Sequence, residues 1–127
     1  MKPAYVVLHI YKGQTFRDKV ILQAPDGTPI DLPALYDGAR MQARPSIDSP
    51  IVELNLSTAD GTLELTSAGE IVFNISAAAT SAIVMQADYL QWVYDLELFK
   101  GTGPAEVVDR PIEGTIVVWP EVTRAIV

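Results

Sequence analysis

One stretch restricts the fold of this chain more than any other: residues 89–124, YLQWVYDLELFKGTGPAEVVDRPIEGTIVVWPEVTR. Apolar and polar side chains alternate over residues 92–98. A period of two puts Trp92, Tyr94, Leu96 and Leu98 on one face and Asp95 and Glu97 on the other. That pattern predicts a half-buried strand of an antiparallel sheet. Lys100, Gly101, Thr102, Gly103 and Pro104 supply the turn, and the return runs from Glu106 with Ile112, Gly114, Ile116 and Val118 at alternate positions. Two long strands lay down an apolar face that the remaining chain must cover.

Upstream, residues 5–11 form a nearly continuous apolar run. This suits a strand buried on both faces, or one whose outer face meets another subunit. A turn at Lys12, Gly13 and Gln14 leads to a second strand over residues 16–22, and the two are expected to form a hairpin. Pro25, Asp26, Gly27 and Thr28 mark a turn. Pro29 and Pro33 make residues 30–35 a loop or a single helical turn. In residues 39–44, Arg40, Gln42 and Arg44 point one way and Met41 and Ala43 the other, giving a strand with a basic outer face. Residues 51–56 (Val52, Leu54 and Leu56 inward), 62–65 and 71–75 are expected to follow one another as a three-strand meander. In residues 76–82, Ser76 stands as a possible N-cap before Ala77, Ala78 and Ala79. Residues 83–88 lead into the strand at 92–98.

At 127 residues the chain has the length of one domain, 1–127, with residues 120–127 as a C-terminal tail. Eight or nine short strands, regular turns and at most one short helix specify an all-β, antiparallel β-sandwich. The absence of cysteine excludes a disulfide framework and points to synthesis in a reducing cytoplasm. The opening run is too short and too β-branched for a signal peptide, and no apolar run approaches the ~20 residues of a membrane span, so a soluble chain is expected. A formal charge of −7 argues against a nucleic-acid partner. Charged residues make up 20% and apolar residues 49%. Ordinary domains carry about 25% charged residues. Either some surface lies against a partner, or the sandwich uses Thr, Ser and Gln on its solvent face.

No motif marks an active site, and no catalytic, cofactor-binding or metal-ligating residue is assigned. His9 is the only histidine and sits within a strand run. Asp95 and Glu97 have a spacing that would suit a glycosidic bond or a cation, and a solvated sheet face explains them more simply. The Asp-Gly pairs at 26, 37 and 60 lack the further oxygen ligands of a calcium loop and read as turns. Exposed aromatics on a sandwich face could stack on sugars. Trp92 falls on the apolar face and belongs to the core. Trp119 shares a face with Glu113, Thr115 and Val117, either contacting a partner or lying under the tail. Arg40 and Arg44 are too few for a phosphate track and are expected to pair with acidic neighbours.

The run Tyr94, Asp95, Leu96, Glu97, Leu98, then Arg110, Glu113, Gly114, Thr115 and Pro120, Glu121, Val122, Thr123, Arg124, resembles the C-terminal part of small structural proteins of tailed bacteriophages. The first half agrees through Gly13, Gln14, Thr15, Phe16, through Pro29, Ile30, Asp31, Leu32, and through residues 39–44. The chain is similar to the Ig-like N-terminal domains of siphophage upper-baseplate proteins, which dock a host-recognition device onto the tail. Ala34, Leu35, Tyr36 and Asp37 stand where that resemblance would place a Thr-Gly-like turn.

The resemblance implies an Ig-like sandwich and a non-enzymatic virion protein made in the host bacterial cytoplasm. It would dock onto the tail, baseplate or capsid, with other virion proteins and copies of itself as partners and without cofactors. The rivals are a capsid decoration protein and a carbohydrate-binding or receptor-binding module. Partner contacts are expected at Trp119, Val122, Ile126, Val127, Tyr5 and Tyr11, with the tail either packing beside Trp119 or adding its backbone to a neighbouring subunit.

Overall fold

The computed structural model describes residues 1–85 and 88–123. Its elements run β1 (Ala4–Tyr11), β2 (Phe16–Ile21), α1 (Leu32–Leu35), β3 (Gly38–Arg44), β4 (Leu54–Ser57), β5 (Leu63–Leu65), β6 (Glu70–Ile75), α2 (Ala77–Ser81), β7 (Leu90–Lys100) and β8 (Val107–Trp119). A single 3-10 turn, Gly103–Ala105, joins the last two. The strands form two sheets, ordered β1-β8-β7-β3-β4 and β2-β6-β5. This is a β-sandwich of one five-stranded and one three-stranded sheet.

Alternation places the core as expected. Trp92, Tyr94, Leu96 and Leu98 of β7 are buried, as are Ile112, Ile116 and Val118 of β8 and Ala39, Met41 and Ala43 of β3. The facing sheet contributes Phe16, Leu63, Ile71, Phe73 and Ile75, with Phe16 and Phe73 meeting edge to face. Leu32 of α1 closes one end of the layer and is fully buried. The Asp31 carboxylate accepts from the Ala34 N–H, so a capped helical turn stands where the resemblance implied a Thr-Gly-like turn. Ser76 caps α2 in the same way.

Several expectations are corrected. β1 and β2 form no hairpin: they belong to different sheets, and β1 lies parallel to β8 from Ala4 beside Ile112 to Tyr11 beside Trp119. The sheet is therefore mixed rather than purely antiparallel. β1 is buried on one face only, through Leu8 and Ile10. The three-strand meander fails at its first link. β4 pairs with β3, and the turn after Ser57 carries the chain across to the other sheet, where β5 and β6 do form a hairpin. The strand at 51–56 begins only at Leu54, leaving Ile51 and Val52 exposed. Two short α-helices occur rather than at most one. Asp37-Gly38 is no turn either. Gly38 opens β3, and a side chain there would collide with Thr58 and the Phe99 ring.

Two local devices aim side chains. The pairing of β7 with β8 shifts between Leu96 and Leu98, a bulge that accommodates Pro111, which has no N–H for a central strand. At Gly114, a β-carbon would strike the Val6 carbonyl oxygen. With none there, the ring of Tyr94, paired with Gly114, sends its hydroxyl past it to donate to that oxygen at 2.7 Å. Burial keeps the Tyr94 phenol protonated well above its usual range.

Candidate docking surface

The outward side chains of the five-stranded sheet divide into two halves. Register aligns Tyr5, Glu113, Asp95 and Gln42 in one row, Val7, Thr115, Val93 and Arg44 in the next, then His9, Val117 and Gln91, then Tyr11 and Trp119. The half formed by β1 and the end of β8 is therefore aromatic and apolar. Tyr5 is 68% exposed and Trp119 37%. Apolar side chains this open, gathered on one sheet face, are characteristic of a contact surface.

Trp119 is held in place by its neighbours. Its indole N–H donates to His9 Nδ1 at 3.1 Å, and the two rings lie near-parallel, 18° apart, with centroids 6.2 Å apart. Tyr89 packs on Trp119 at 5.9 Å, tilted by 37°. The Tyr5 hydroxyl shares a hydrogen bond of 2.6 Å with Thr115 Oγ1, which fixes that ring along the sheet. These aromatics enter a contact with little side-chain freedom left to lose.

The half formed by β7 and β3 is an ionic lattice. Arg40 donates from Nε to Glu97 and from Nη2 to Glu106, both at 2.8 Å, and its guanidinium lies 4.7 Å over the Phe99 ring. The hydrogen bond to Glu106, then that to Glu97, pushes Arg40 further above its usual range. From within the bulge, Arg110 reaches Asp95 at 3.3 Å and Glu97 at 3.7 Å. Asp95 and Glu97 are thus neutralised by two arginines and are not a free acid pair. All these groups are substantially solvated, so each pair stabilises weakly and mainly sets shape and charge pattern. Arg44 departs from expectation. Instead of an acidic neighbour it donates to the Ser49 carbonyl and to Gln42. A shallow groove lined by Tyr5, Arg44, Asp95, Arg110, Glu113 and Thr115 separates the two halves.

Of the contact residues expected from sequence, the fold brings Tyr11 and Trp119 together as register partners and sets Tyr5 at the far end of the same strand. Val122 stands away from them, 93% exposed. Ile126 and Val127 lie outside the described residues, as do Gln86 and Ala87 in the lead-in to β7 and Arg124 of the resemblance. Sequence reasoning missed His9 and Tyr89 as supports of Trp119. Tyr89 was detectable, since it lies just ahead of Leu90, which pairs with Val118. His9 was not, because only the parallel pairing of β1 with β8 brings it there. Among the described residues no three His, Asp or Glu side chains are grouped to hold a metal ion, and no helix is long and apolar enough to cross a membrane. No protein-family model matches the chain, and no curated protein matches it significantly.

Proposed function

We propose that this protein works by docking, as a structural component of a tailed-phage particle, in the tail, the baseplate or on the capsid. The observation that carries the reading is the pre-ordered aromatic half-face, with Trp119 braced between His9 and Tyr89 and Tyr5 tied to Thr115. It is an apolar area on an otherwise acidic chain, beside an ionic lattice that would set orientation. The sequence resemblance to upper-baseplate domains supplies the class of assembly. Mass spectrometry of purified particles from a phage encoding the chain is expected to find it at a fixed copy number. A charge at the centre of the aromatic cluster, Trp119→Glu, is expected to lower that copy number while the melting temperature of the isolated protein stays close to wild type. Absence of the wild-type chain from particles overturns the reading. Binding to a glycan array that Trp119→Glu abolishes would replace it with a carbohydrate-binding role.

A further inference from the structure

Every sheet edge is a row of unpaired main-chain groups, and most proteins guard it with brevity, charge, proline or a bulge. Three of the four edges here are guarded. β4 has 4 residues, β5 has 3 with Glu64 outward, and β2 carries Arg17, Asp18 and Lys19. Among the described residues, β1 is guarded by none of these. It runs 8 residues in continuous register with β8, has no bulge, no internal proline and no Asp, Glu, Lys or Arg, and its outward Tyr5, Val7 and Tyr11 are exposed.

The polarity of that edge follows from one bond. Lys12 N–H donates to the Trp119 carbonyl, so even-numbered residues of β1 turn their main-chain groups toward β8. Tyr5, Val7 and His9 therefore offer theirs to the open side. Tyr11 is next in that series, but its carbonyl is already taken by the Gln14 N–H.

From this we infer that β1 pairs antiparallel with β1 of a second copy, joining two five-stranded sheets into one across a two-fold axis at Val7. This deepens the docking reading by naming one partner, and rests on that reading only in treating β1 as a contact surface. The choice of a second copy comes from the strand itself. Centred on Val7, Tyr5 faces His9 of the partner subunit and Val7 faces Val7 of the partner subunit. Each such pair exchanges two main-chain bonds, and no open group of Tyr5, Val7 or His9 is left over. On the inner face, Val6 meets Leu8 of the partner subunit, which extends the core without a polar group. Charge favours the same edge. Two chains of net charge −7 repel, and β1 brings no carboxylate to the seam.

Sedimentation of the purified protein from micromolar to millimolar concentration tests the pairing. The wild type is expected to show a reversible dimer. Val7→Pro removes an N–H that faces solvent in the monomer, and Val7→Lys sets two like charges on the axis. Each is expected to weaken the dimer at least about tenfold, with the circular dichroism of the folded chain retained. A wild type that remains monomeric, or a dimer that Val7→Lys leaves unchanged, overturns the proposal. The two readings fail separately. A wild-type monomer leaves particle docking standing, and absence from particles with the dimer intact leaves the pairing standing.

Discussion

Thr80 is a hydroxyl buried to 0% exposure, and α2 meets the link between β1 and β2 on it. Its Oγ1 accepts from the Gly13 N–H at 3.1 Å and lies within bonding reach of the Gln14 carbonyl at 2.9 Å and the Ala77 carbonyl at 3.1 Å. The short α2 thereby pins the link between β1 and β2. Thr80→Val keeps the shape and strands those partners, and is expected to cost about 1–3 kcal/mol in urea unfolding. Tyr36 offers a pH-dependent readout. Burial, with a hydrogen bond of 2.6 Å to Asp109, pushes its phenol up to about 12 from an ordinary value of 10.0. A raised value in the fold means a contribution that is complete below the unfolded value and is lost as pH rises. Stability is therefore expected to decline from about pH 10 toward about 12, followed by tyrosinate absorbance, and Tyr36→Phe is expected to remove part of that decline.

Among elements, β7 had its faces legible in advance, because alternation is local and each side chain declares its own side. Leu96→Asp places a charge where exposure is 0% and is expected to abolish folding. Glu97→Lys breaks pairs with Arg40 and Arg110 on the solvated face, and is expected to cost about 1 kcal/mol. Similar outcomes in thermal unfolding would mean that the register is wrong. What pairs with what was far less legible. Gly13 and Gln14 look like a hairpin turn, yet the chain crosses there to the other sheet, and the same holds for the turn after Ser57. A turn residue reports that the backbone reverses, not which neighbour it returns to. The aromatic surface was half legible for the same reason. Trp119 was recognisable by its face, whereas its support by His9 depends on a pairing between distant strands. Tyr94→Phe probes that pairing by deleting the hydroxyl bond that ties β1 to β7. It is expected to cost about 1 kcal/mol and to speed amide hydrogen exchange in β1 more than in β3.

For the molecule as a whole, the parallel seam between β1 and β8 sets a timetable. Tyr5 and Thr115, which share a hydrogen bond across that seam, are 110 positions apart in the chain. During synthesis β1 therefore has no partner strand to lie beside until β8 has left the ribosome. Closing so long a loop is entropically costly, and sandwiches dominated by such pairings fold on the order of milliseconds to seconds. Stopped-flow refolding is expected to fall in that range, and β1 variants to alter unfolding more than folding, since a strand that docks late is absent from the barrier. Until it docks, Tyr5, Val7, Leu8 and Ile10 are an apolar ribbon in a cell full of other nascent chains. A chaperone that shields such a ribbon would govern how much of this protein survives to reach its fold.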